Sequence, residues 1–217
     1  MQNARVDSVA KPRLRGVFHQ YAFVAAMAAG VVLVVFADGP REQFASWVYG
    51  IALTAMFGAS AVYHRVNWRS LRHRVWARRI DHSMIFLFIA GTYTPFALLS
   101  FEGVLPIVVL ATVWGGAVLG LTLNLVWIHA PNWVTAIAYL AVGWVGVIAV
   151  PEMFSRVGVA GSVLLLVGGA LYTLGALAYA ARWPNPFPAT FGFHEIFHVL
   201  VVAAAATQFI AVSFVVL

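Results

Sequence analysis

The sequence predicts an all-α integral membrane protein, a bundle of seven transmembrane helices with its N-terminus in the cytoplasm and its C-terminus outside. Three observations predict it. Of 217 residues, 63% are apolar and 9% charged, whereas an ordinary soluble domain carries roughly a quarter charged residues. The apolar residues fall into runs of roughly 17 to 25, the length that crosses a bilayer as a helix. The basic residues cluster in alternate connections between those runs.

The runs cover approximately 19–37, 46–64, 81–100, 104–125, 132–150, 158–181 and 192–216. Turn formers separate them: Asp38-Gly39-Pro40, Ala130-Pro131-Asn132, Pro151 and Trp183-Pro184-Asn185-Pro186-Phe187-Pro188. The last stretch is too rich in proline to be helical and makes a stiff lead into the final span. The first run imitates a secretory signal, with basic residues before it and small ones near Val35-Phe36-Ala37. Its near-spanning length and the runs that follow favour a retained helix. Residues 1–18 thus form a basic cytoplasmic segment and 19–217 one transmembrane domain, with no internal repeat.

Orientation follows from charge. The N-terminal segment (Arg5, Lys11, Arg13, Arg15), the connection after span 2 (Arg65, Arg69, Arg72, Arg74, Arg78, Arg79) and Arg182 after span 6 share one side. They hold all but two of the 13 basic residues, Arg41 and Arg156. The positive-inside rule places that side in the cytoplasm. The net charge of +6 then reflects attraction to anionic headgroups rather than to nucleic acid. The absence of cysteine excludes a disulfide scaffold, a thiolate metal site and a cysteine nucleophile. Gly116 and Gly120, and Gly168-Gly169, are close-packing points within the bundle.

Against this apolar background a few polar residues stand out. His194 and His198 are spaced i, i+4 at the head of the last span and share a helix face. Ser60 and His64 share a face near the cytoplasmic end of span 2, and Asp81 and His82 fall in the predicted first turn of span 3. Three helices therefore bring Ser60, His64, Asp81, His194 and His198 to one depth. Three neutral imidazoles suffice for tetrahedral zinc with an open position, and nitrogen donors without thiolate favour zinc over magnesium, calcium or iron. Zinc would acidify a water. Asp81 is then the general base or the group that holds that water, and Ser60 orients a ligand or donates to a developing oxyanion. Each residue alone has a plainer reading. His64 can be an interfacial histidine, Asp81 a helix cap, and Ser60 a donor to its own helix backbone. His82 points about 100° away from Asp81 and suits a supporting or headgroup-level place, while His19, His73 and His129 receive no role.

The stretch His194-Glu195-Ile196-Phe197-His198 also fits H-E-x-x-H, in which the glutamate is the base of a metalloprotease. That reading leaves Ser60, His64 and Asp81 idle. A channel would need polar residues across the whole span, and Thr122 and Asn124 are too few to line one.

Four segments carry a resemblance: Ser60-Ala61-Val62-Tyr63-His64; Ile80-Asp81-His82-Ser83-Met84-Ile85-Phe86; Ala90-Gly91-Thr92-Tyr93-Thr94-Pro95; and Phe191-Gly192-Phe193-His194-Glu195-Ile196-Phe197-His198. In this order and spacing the chain resembles the bacterial hemolysin III group of the progestin and adipoQ receptor family, related more distantly to alkaline ceramidases. The resemblance implies zinc near the cytoplasmic leaflet on His64, His194 and His198, with Asp81 holding the zinc-bound water and Ser60 matching the family serine. It also implies hydrolysis of ceramide-like amides or a part in membrane lipid homeostasis, with membrane lipids, ceramide-like or fatty-acyl, as the expected partners and a bacterial inner membrane as the location. The long N-terminal domain of the eukaryotic receptors has no counterpart here, and their receptor role is not carried over. The rival reading is a non-catalytic membrane protein in which zinc fixes the helices together and the protein senses membrane state or causes cytolysis.

Overall fold

A computed structural model describes residues 11–127 and 129–217. Its helices are α1 (Val17–Phe36), α2 (Pro40–Arg65), α3 (Leu71–Leu99), α4 (Leu105–Val126), α5 (Asn132–Gly143), a single turn α6 (Val150–Glu152), α7 (Gly158–Ala181) and α8 (Phe193–Val216). Proline starts α2 and α4, where its missing N–H is no loss. Gly16, at φ 78°, turns the chain into α1, a conformation that glycine adopts without strain.

The outside of the bundle is apolar. Val35 (66% exposed), Leu119 (73%) and Val159 (68%) stand on it, while Ser46, Ser60, His64, Asp81, Glu195 and His198 are buried inside. Water would reject that arrangement and hydrocarbon accepts it. Among the described residues six helical stretches are long and apolar enough to span a bilayer, and the chain is a multi-pass integral membrane protein.

One of the six, Asn132–Ala181, runs 50 residues but is not straight. After α5 it tightens to a 3₁₀ segment (Trp144–Ala149), passes through α6 and widens to a π turn (Met153–Val157). Gly158, at φ 81°, opens α7. The chain has then reversed: Asn132 Nδ2 donates to the Tyr179 carbonyl (3.4 Å) and Trp144 Nε1 to Thr173 Oγ1 (3.1 Å). The run expected over 132–150 is therefore α-helical only to Gly143.

A second correction bears on the site. Helix α3 begins at Leu71, not near residue 81, and its N-cap is Ser70, whose hydroxyl accepts from the His73 N–H. Asp81 lies about 15 Å further along the helix axis, so it is neither in the first turn nor a cap. The Arg-rich connection shrinks to Val66–Ser70, and Arg72, Arg74, Arg78 and Arg79 ride on helix.

Neighbouring helices pack in sequence order, α1 on α2, α2 on α3 and α3 on α4, while α8 packs on α7 and also touches α1, α2 and α3. Small residues permit the closest approaches. A Cβ on Gly50 would lie 3.2 Å from the Gly30 Cα, so α1 and α2 cross backbone to backbone. Gly116 faces Val142 and Gly168 faces Thr207 and Gln208, which makes both internal packing points.

Candidate metal centre

His64 is the penultimate residue of α2, whereas His194 and His198 lie in the first two turns of α8. The start of α8 is fixed twice. Glu195 Oε2 accepts from the Gly192 N–H (2.8 Å) and Asn185 Oδ1 from the Phe193 N–H (3.1 Å), which satisfies amide groups left free at the helix end. That anchoring sets the phase of the two histidines against α2. Their rings meet that of His64, with His194 Nε2 lying 3.2 Å from His64 Nε2. One ligand atom from each of the three rings falls within 4.8 Å of the others.

Helix α3 brings the carboxylate. Asp81 Oδ2 lies 3.6 Å from His64 Nε2, both side chains being buried, and Ser60 lines the same cavity as Asp81. The structure thus places Ser60, His64, Asp81, His194 and His198 in one cluster. His82 lines the cavity beside it and receives the Tyr139 hydroxyl on its backbone carbonyl (3.0 Å). His73 and His129 are exposed.

The donor set fits a metal ion. Two imidazole nitrogens bound at about 2.05 Å on a tetrahedral ion stand about 3.3 Å apart, close to the 3.2 Å between His64 and His194. His198 must approach by roughly an ångström or more, within the reach of side-chain rotation. A cavity of about 160 Å³ opens from the cluster and follows α3 from Asp81 to Phe96 and on to Phe101 beyond its end, with apolar walls from Phe88, Phe96, Val147 and Leu165.

The sequence match decides the kinship. Residues 8–209 fit the profile of the family described as Haemolysin-III related. The chain belongs to that family. It is 30% identical over 200 residues to the Hemolysin-3 homolog of Bacillus subtilis (strain 168), covering 90% of each chain. To Hemolysin-3 of Bacillus cereus it is 29% identical over 203 residues, 92% of this chain and 89% of the other. The monocyte to macrophage differentiation factor of Homo sapiens is 27% identical over 197 residues, 89% of this chain and 79% of its own. The resemblance expected from the four motif segments is therefore correct.

In this Haemolysin-III related chain the glutamate of the H-E-x-x-H stretch has another occupation. Glu195 is fully buried, and while Oε2 holds the helix N-terminus, Oε1 accepts from Arg15 Nε. Its oxygens are engaged away from the histidine cluster, and the protease reading loses its base.

Arg15 belongs to a strap across the centre. The Arg13 and Leu14 N–H groups donate to the carbonyls of Ala189 (3.1 Å) and Thr190 (3.2 Å), joining the approach to α1 to the loop before α8. Lys11 Nζ donates to the His64 carbonyl. Partial burial, with the cations Arg15, Arg65 and Arg74 nearby, holds the Lys11 pKa below the ordinary lysine value.

One residue escaped sequence reasoning. His19, given no role there, is 3% exposed and stacks on His198 with ring centroids 3.8 Å apart and planes 6° from parallel. A signal existed. His19 heads the stripe Ala26, Gly30 and Leu33 that α1 turns inward, and a small-residue stripe marks a packed face.

Proposed function

We propose that this Haemolysin-III related protein is a zinc-dependent hydrolase of lipid amides, ceramide-like in substrate class, working at the cytoplasmic side of a bacterial plasma membrane. The basic end of the bundle carries the histidine cluster, and the positive-inside rule puts that end in the cytoplasm. Because the Asn132–Ala181 stretch reverses, it counts as two crossings, giving seven in all with the C-terminus outside.

His64, His194 and His198 would hold the ion, and three imidazoles without thiolate favour zinc. Bound there, zinc supplies Lewis acidity and a water that ionises near neutral pH. Asp81, whose Oδ2 lies 3.6 Å from the His64 ring nitrogen, would act as the proton acceptor of the reaction. Ser60, which lines the cavity with Asp81, would orient a ligand or donate to a developing oxyanion. The cavity running from Asp81 to Phe101 suits an acyl chain, its walls excluding water while the polar end of the lipid stays at the cluster.

The observation that carries this reading is the meeting of three imidazoles and one buried carboxylate at the head of an apolar cavity. The test uses purified protein in detergent, with bound zinc measured beside cleavage of a ceramide. Asp81→Asn should keep the metal and lose turnover. A zinc-loaded wild type that cleaves no lipid amide overturns the hydrolase.

A second reading has support from the distribution of the ligands. His64 and His194 stand 130 residues apart, so an ion between them would bolt α2 to α8 even without chemistry. Under that reading His194→Ala lowers thermal stability and metal content with no turnover to lose.

A further inference from the structure

Helix α1 supplies no atom to the histidine cluster, yet His19 is pressed against one of its members. The two rings lie face to face, 3.8 Å between centroids and 6° between planes. Phe57 meets His19 edge-on at 5.0 Å and 72°, so the ring is held from a second side. Among the described residues neither nitrogen of the His19 ring makes a hydrogen bond of normal geometry, and neither is open to solvent. What His19 presents to the site is therefore its face.

His198 needs such a neighbour. A metal-binding imidazole ordinarily donates its other N–H to a carbonyl or carboxylate, which fixes the plane of the ring. Among the described residues Nδ1 of His198 is buried without a hydrogen-bond partner. Its contacts with His64 and His194 are tilted or edge-on, at 5.1 Å and 4.6 Å between centroids. Those two rings are co-ligands and move with the ion. The parallel contact comes from His19, which no other assignment has claimed.

We propose that His19 is a positioning residue for the metal centre: its stacked ring takes the place of the missing hydrogen bond and holds His198 in the plane that coordinates zinc. Metal binding withdraws electrons from the His198 ring, and an electron-poor ring stacks better on a neutral one. Stacking and metal affinity therefore reinforce each other. Through this contact the first helix of the chain is coupled to an ion it never touches. The proposal rests on the zinc reading of the cluster.

The test is zinc affinity of full-length protein in detergent, by competition with a chromophoric chelator, with the visible spectrum of the cobalt-substituted protein as a second readout. His19→Ala and His19→Asn should each weaken zinc by about threefold to tenfold, the factor an aromatic pair's ordering is worth, and alter the cobalt bands. His19→Phe, which keeps a ring, should restore both. Melting of the metal-free protein separates positioning from plain packing. If His19→Ala lowers metal-free and zinc-loaded melting equally and leaves zinc affinity unchanged, the proposal fails. It fails too if Asn rescues and Phe does not. A wild type that takes up no zinc removes the zinc reading and this proposal together, whereas a wild type and His19→Ala of equal affinity removes this proposal alone.

Discussion

Gly16 packs so closely under His64 that a Cβ added to it would lie 2.5 Å from the His64 Cβ. The same glycine has φ 78°, where a side chain is strained. Two independent requirements thus exclude any other residue at the turn that leads into α1.

Gly16→Ala should therefore cost about 1–3 kcal/mol from backbone strain alone, with a further loss as His64 is pushed off its place. Thermal melting with and without added zinc checks this. The zinc-dependent rise in melting temperature should shrink in the variant.

Removing a ligand should empty the centre. His64→Ala and His194→Ala each leave two imidazoles and a gap, so elemental analysis of purified protein should find well under one zinc per chain against about one in the wild type. Full zinc in both variants would sink the assignment of the cluster.

Glu195→Gln separates a base from a structural acid. The substituted amide keeps an oxygen for the Gly192 N–H but loses the charge that faces Arg15. The expected result is a lower melting temperature, because removing the buried carboxylate charge leaves the partly buried Arg15 guanidinium uncompensated. Zinc content and lipid turnover, compared below the new melting point, should stay within a few-fold of wild type. A metalloprotease base would behave in the opposite way, with an intact fold and no activity.

The cavity can be narrowed without touching the cluster. Gly169 lines it, and a Cβ there would meet nothing within 4 Å. Gly169→Phe should fold, bind zinc as wild type does and lose turnover of long-chain amides more than of short-chain ones. Equal loss across chain lengths would mean that the acyl chain lies elsewhere.

Close helix crossing makes the last prediction. Gly50→Leu would force α2 from the Gly30 backbone, 3.2 Å from where its Cβ would sit, and overpacking of this kind costs about 1–3 kcal/mol or more. Since α1 carries His19, the displacement should also weaken zinc, readable in the same chelator competition.

Apolar runs located most helix ends because hydrocarbon demands a continuous apolar surface. The prediction of 158–181 matches Gly158–Ala181, and 192–216 differs by one residue from Phe193–Val216. The same logic misplaced the start of α3. Arginine, leucine and alanine are good helix formers, so the segment from Leu71 onward continues as helix despite its arginines. Hydropathy registers those charges as a break when the backbone has none. The convergence of His64, His194, His198 and Asp81 was legible because residues at matched depth on different spans have one place to meet. The occupation of Glu195 was not, since Arg15 lies 180 residues away and no local spacing links them. His19 was missed for a similar reason: a lone histidine carries no spacing until its stacking partner is known.

The split of the ligand set has a consequence for biosynthesis. A ribosome that has delivered the first seven helices has made one of the three imidazoles, and the other two arrive with the closing segment that also stitches Ala189 and Thr190 to Arg13 and Leu14. A product stalled before α8 thus has a single one of the three donors and no grip on an ion. Metal held by this triad would therefore report that the chain had been made and inserted at least through His198.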